Sequence, residues 1–176
     1  LSKFKNKETT ISEGFNVNYW DNKDELYHQI EIEFNKLASA EKLKGTIAEK
    51  LNQILGLKKD GEIDSTNFNI ENFQILSPYN SQYSGTNKIN DYIQTTFKKE
   101  VKLEFSKNQY KKADKLIRTK NYYDKKVLKL SNGTMGFINN KSNESFYYEN
   151  SDGIADLSFY DIRANEKELF ELAYAI

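Results

Sequence analysis

Between Lys107 and Lys129 the chain carries nine Lys or Arg against two Asp, a local excess of +7, and the run RTKNYYDKK within it interleaves cations with aromatic rings. Those are the side-chain types that hold a single-stranded nucleic acid: cations take the phosphates and aromatic faces take unpaired bases. Arg118, Lys120, Tyr122, Tyr123, Lys125 and Lys126 supply both within nine residues. The same run also fits the solvated face of a lysine-rich β-hairpin, with Tyr122 or Tyr123 filling a core, and composition leaves both readings open. Asn132-Gly133 is a hairpin-turn dipeptide whatever the function.

Other chemistry is thinly represented. His28 is the only histidine and there is no cysteine, so no second soft ligand exists to complete a zinc-type site and no disulfide can form. Glu31 and Glu33 stand two apart, a spacing that points them to different faces of a helix. There is no GxxxxGK followed by Ser or Thr, no GxGxxG, and no Ser/His/Asp or Cys/His set, so no catalytic residue is assigned. The sequons at Asn132 and Asn143 matter only in a secreted chain. The formal net charge of zero hides an uneven distribution: residues Glu144 to Ile176 hold eight Asp or Glu against two Lys or Arg. That acidic third is a second possible docking surface, for a basic protein partner.

The elements that must position these residues follow from periodicity. From Asp24 to Leu57, Leu26, Ile30, Phe34 and Leu37 form an apolar stripe, and a second helical piece follows Gly45. Asp21 or Asn22 is placed to cap the first piece and Gly56 to end the second. Lys58 to Asn69 is polar and turn-rich, a surface loop. Ile70 to Pro78 predicts a buried strand halted by the only proline, and Ser84-Gly85-Thr86 then opens a helix with Ile89, Tyr92 or Ile93, and Phe97 on one face. Together these make a βα unit, whose connecting loop is a ligand-binding place in open sheets. After Val101, five short β-branched and aromatic segments separated by Asp, Asn, Gly and Ser predict a small antiparallel barrel. Glu168 to Ile176 is a final apolar run that breaks off in mid-pattern; with Leu1 in place of Met, it predicts a fragment of a longer chain.

The order ILSPYNSQYSGTNKINDYIQ, KKADKLIRTKNYYD, LSNGTMGFI, ELAYAI resembles the C-terminal part of RecD-like superfamily 1 DNA helicases, over Phe73 to Ile176. Pro78, Gly85, Thr86, Asn90 and Gln94 match that family's proline-loop and helix block. Asp114, Lys115, Asn121, Tyr123 and Asp124 match the block that opens its SH3-like barrel. Asn132, Gly133 and Gly136 match its glycine turn, and Ala173, Tyr174 and Ala175 its returning strand. Ala113 departs from the glycine usual before the Asp, and the chain ends before the family's HKxQG motif.

The resemblance implies a mixed α/β fold: a helical lead-in and partial RecA-like sheet over 1–100, an SH3-like β-barrel inserted over 101–163, and a return strand over 164–176. It implies single-stranded DNA as partner, contacted by Arg118, Lys120, Asn121, Tyr122, Tyr123, Lys125 and Lys126, with Asn132 and Gly133 shaping the turn. The other motor domain of the same chain is implied as a second partner. ATP and Mg are expected for the parent helicase, with no cofactor or metal held by this fragment. No stretch reaches the roughly 18 apolar residues of a membrane span, and a cytoplasmic location is expected. The rival expectations are an SH3-like protein-interaction module and part of an RNA helicase.

Overall fold

A computed structural model describes residues 10–12, 15–99, 101, 110–139, 145–159 and 169–176. The first helix, α1 (Lys23–Ala40), starts where the Asn22 side chain accepts the Glu25 N–H, and the Glu25 carboxylate reaches back to the Asp21 N–H. This reciprocal cap satisfies two donors that the first turn leaves open, and acidic residues there suit the helix dipole. Helix α2 (Ile47–Ile54) begins with a capping box between Thr46 and Glu49, and Gly56 follows it at φ +79°. Helix α3 (Thr86–Phe97) starts after Gly85 with no side-chain cap.

The buried stripe of α1 is Leu26, Tyr27, Phe34 and Ala38; Leu37, expected on it, is exposed, because spacing of four from Phe34 reaches Ala38 instead. Helix α3 buries Ile89, Ile93 and Phe97 against it. Phe97 meets Phe34 with ring centroids 4.5 Å apart, and Tyr92 stacks on Tyr27 at 4.1 Å. Loop 58–69 is less superficial than its polarity suggests: Ile63 and Phe68 pack into this core, Phe68 edge-on to Phe137 at 5.7 Å.

A short pair, β1 (Thr10–Ser12) and β2 (Phe15–Asn16), precedes α1 and has no counterpart in the sequence reading. The remaining strands are β3 (Lys115–Arg118), β4 (Tyr122–Asp124), β5 (Val127–Leu130), β6 (Met135–Asn139), β7 (Ser145–Asn150), β8 (Gly153–Ser158) and β9 (Phe170–Leu172). Five form one antiparallel sheet in the order β8-β7-β6-β3-β9, while β4 and β5 pair separately. The five segments expected after Val101 are thus strands, but no barrel closes among the described residues. The physical reason is topological: β8 and β9 lie at opposite edges with three strands between them, and β4-β5 leaves the sheet as its own hairpin.

Alternation along the strands gives the sheet two packed faces. Phe137, Tyr174 and Ala175 join the helical core, whereas Leu116, Ile138, Phe146 and Phe170 face a second core completed by Tyr110, Phe159, Tyr122 and Leu130. Gly136 is required here, because a Cβ would lie 2.2 Å from the Tyr147 carbonyl oxygen across the β6-β7 pair.

The strand expected over Ile70 to Pro78 is reduced to one parallel bridge, Ile75 to Ala175. Ile75 N–H donates to the Tyr174 carbonyl, Ile176 N–H to Ile75 and Ser77 N–H to Ile176, at 2.9–3.0 Å. Turns at Asn69 to Asn72 use up the start of the segment and Pro78 ends it, leaving Leu76 78% exposed. The described architecture is α+β: three helices, a five-stranded antiparallel sheet and small two-stranded sheets.

Candidate nucleic-acid interface

The charged run divides at Arg118. Downstream, β4 and β5 form a hairpin whose two-residue tip is Lys125-Lys126, at φ +47° and +70°. A tight turn with positive φ at both central residues matches the right-handed twist of its strands and normally carries Asn-Gly. Lysines there sit in the left-handed region at a cost of about 1 kcal/mol each. Lys120, Asn121, Tyr123, Lys125, Lys126 and Lys129 are all exposed on this hairpin. Tyr123 is 56% exposed and Val127 58%, so the surface mixes cations with apolar area.

The hairpin root is fixed. Tyr122 and Leu130 are paired across it and buried in the second core. Asn121 Oδ1 accepts the Asn132 N–H at 2.7 Å, and Gly133, at φ +87°, donates its N–H to the Arg118 carbonyl at 2.7 Å. Asn132-Gly133 is therefore a turn, as expected, but one that carries the chain from β5 into the neighbouring sheet rather than closing a hairpin.

Arg118 and Tyr122, expected to contact a strand of nucleic acid, are both buried. Arg118 Nε donates to the Lys120 carbonyl at 2.6 Å, and its guanidinium lies 5.0 Å from the Phe170 ring and 5.7 Å from that of Tyr122. Strand alternation turns it inward, where cation–π contacts replace water. It ties the end of β3 to the root of the hairpin.

Among the described residues upstream of Arg118 the cations serve the fold. Asp114 is the centre: it accepts from Gln94 Nε2, from the Tyr174 hydroxyl at 2.8 Å and from the Lys111 N–H at 2.7 Å, and it pairs with Lys98 at 3.2 Å. Lys111 Nζ donates to the Gln94 and Lys98 carbonyls, closing the C-terminal end of α3, where a cation also suits the dipole. Burial pushes the Lys98 ammonium below its ordinary value, with Asp114 opposing. The Tyr174 phenol is pushed well up by burial and by Asp114. Lys115 donates to the Phe73 carbonyl and Gln74 Oε1 at 2.8 Å, and burial lowers its pKa to about 8, partly offset by Glu71.

The remaining sequence-assigned positions belong to this framework. Asn90 and Gln94 are buried: Gln94 holds Asp114, and Asn90 Nδ2 donates to the Leu172 and Ala175 carbonyls while its Oδ1 accepts the Ala175 N–H. Gly85 is needed because a Cβ would fall 2.7–2.8 Å from the Asn80 and Ser81 backbone. Thr86 N–H donates to the Tyr79 carbonyl at 2.9 Å, and Pro78 is exposed at the bend before it. Ala113 adopts φ +60°, a conformation glycine takes without strain.

Between these regions runs a cleft of about 250 Å³, lined by Asn80, Thr86 and Asn90 on the α3 side and by Arg118, Thr119 and Asn132 on the sheet side. It brings members of both assigned sets, Thr86 and Asn90 with Arg118 and Asn132, into one place. His28 is exposed 4.0 Å from Glu31, and among the described residues no cluster of His, Cys, Asp or Glu could hold a metal. Among the described residues no helix is long and apolar enough to cross a membrane.

Sequence reasoning missed the exposed tyrosines of the 79–85 loop and the hairpin tip. The tip carries no turn signature, and the tyrosines lie outside the charged run. No protein-family model matches the chain, and no curated protein does.

Proposed function

We propose that this chain binds single-stranded nucleic acid on the β4-β5 hairpin and the adjoining cleft, as the C-terminal region of a RecD-like superfamily 1 DNA helicase. The observation that supports it is the cleft itself. Blocks far apart in sequence, resembling the helicase motifs around Thr86 and Asn132, line one groove beside an exposed hairpin bearing Lys120, Tyr123, Lys125 and Lys126. Cations on a fixed projecting hairpin grip phosphates, and Tyr123 offers a ring to a base. In this reading ATP and Mg serve the parent protein through residues outside this chain, and the second motor domain is its intramolecular partner.

Fluorescence anisotropy with labelled single-stranded DNA tests the binding. Affinity should fall steeply with salt, with a logarithmic slope of about 0.7 per phosphate contact, and K120A/K125A/K126A should abolish most of it. Undetectable binding at low salt, or binding insensitive to that triple substitution, removes the assignment; equal preference for RNA removes the DNA specificity. For the motor reading, the parent sequence should carry GxxxxGK with Ser or Thr upstream and HKxQG after Ile176, and their absence sinks it.

A further inference from the structure

We infer that the loop of residues 79–85 is a base-stacking platform, on which Tyr79 and Tyr83 hold unpaired nucleobases of the strand whose phosphates lie on the β4-β5 hairpin. This rests on the nucleic-acid reading above and carries it to residues outside the charged run.

The loop joins exposed rings to a tied backbone. Tyr79 is 53% and Tyr83 39% exposed. Yet Thr86 N–H donates to the Tyr79 carbonyl, Asn87 N–H to Asn80 and Gly85 N–H to Gln82, at 2.7–3.2 Å. The Ser77 hydroxyl bonds the Tyr79 and Ser84 carbonyls at 3.1 and 2.7 Å, and the Tyr27 hydroxyl reaches in from α1 to the Tyr83 carbonyl at 3.1 Å. Gly85 lets the loop close on Asn80 at a distance no Cβ tolerates. Aromatic rings on a fixed backbone lose little conformational freedom on binding, which is the property of a preorganised contact surface.

Continuity and chemistry select the occupant. The cleft runs from Asn80 on the loop and Asn87 in the first turn of α3 to Asn132, and Asn132 is bonded to Asn121 at the hairpin root. Residues 77–87, SPYNSQYSGTN, contain no charge, only hydroxyls, amides and the two rings. A surface with cations at one end and neutral aromatics at the other fits a strand gripped by phosphates on the hairpin and by bases on the loop.

The test uses anisotropy of the 176-residue chain with oligothymidylates and with matched oligonucleotides carrying abasic sites. Y79A/Y83A should weaken binding to the base-bearing strand by roughly 10-fold or more, since stacking contributes about 1–3 kcal/mol per base. Y79F/Y83F should bind like wild type, and the fully abasic strand should bind wild type and Y79A/Y83A alike. K125A/K126A should weaken both strands. The platform is overturned if Y79A/Y83A stays within about twofold of wild type on the base-bearing strand while K125A/K126A weakens it, an outcome that leaves the hairpin assignment standing. Failure of wild type to bind any strand overturns both.

Discussion

Two groups of lysines, drawn from one stretch of sequence, meet opposite fates in this molecule. Lys111 and Lys115, with Lys98 from the end of α3, are buried around Asp114 and a set of backbone carbonyls. Lys112 pairs with Glu62 at 2.8 Å, and Lys120, Lys125, Lys126 and Lys129 stand in solvent on the hairpin. Charge density therefore says little about destination. The first group lies where α3, the turn before β3 and the C-terminal segment converge, and there each ammonium donates to backbone carbonyls. The second lies on a ribbon that has left the sheet, with no carbonyl-rich wall to receive it.

The sharpest way to break this contrast is to remove the buried Asp114 carboxylate. Asp114→Ala leaves Lys98 without its compensating charge and strips Tyr174, Gln94 and the Lys111 N–H of an acceptor, and it should cost about 3–5 kcal/mol in urea denaturation. Gly136→Ala acts on the same sheet by steric overlap with the Tyr147 carbonyl and should cost about 1–3 kcal/mol.

The buried group should also respond to pH. Folded Lys115, with its pKa near 8 against an ordinary 10.5, has released its proton between pH 8 and 10 while the unfolded chain still holds it. The unfolded state then binds more protons, so stability conferred by Lys115 rises with pH across that window. The difference in melting temperature between wild type and Lys115→Met should accordingly grow in favour of wild type from pH 8 to pH 10; a flat difference would contradict the assigned burial.

On the hairpin, K125N/K126G supplies the turn its favoured residues and should add about 1 kcal/mol, read as a small rise in melting temperature, while it lowers affinity for single-stranded DNA. Smallest of all, K125A/K126A should change stability by less than about 0.5 kcal/mol, which isolates its binding effect from folding.

Local order was legible and long-range order was not. The helices follow from apolar residues spaced by three and four and from Asn22 and Gly56 at their ends, signals that lie within a single element. The strands after Val101 were legible as pieces, but their partners were not: β9 lies beside β3 across more than 50 residues, a pairing set by the second core around Leu116 and Phe170. The burial of Arg118 was not legible because strand alternation, which turns it inward, depends on a register that sequence does not state. The Lys125-Lys126 tip was hidden because its left-handed residues are not the types that advertise such a turn, while Asn132-Gly133 advertises one and joins two sheets.

Asn90 gives the molecule a load path. A strand at a sheet edge peels from its neighbour one hydrogen bond at a time, like a zipper. The segment after β9 is instead latched from the side: Asn90 grips the carbonyls of Leu172 and Ala175 and the N–H of Ala175 together. Tension applied at Ile176 reaches those three bonds in parallel and passes into the body of α3 before β9 can unzip from β3. Movement of a neighbouring body pulling on this strand would drag the helix with it, and with the helix the 79–85 loop at its leading end.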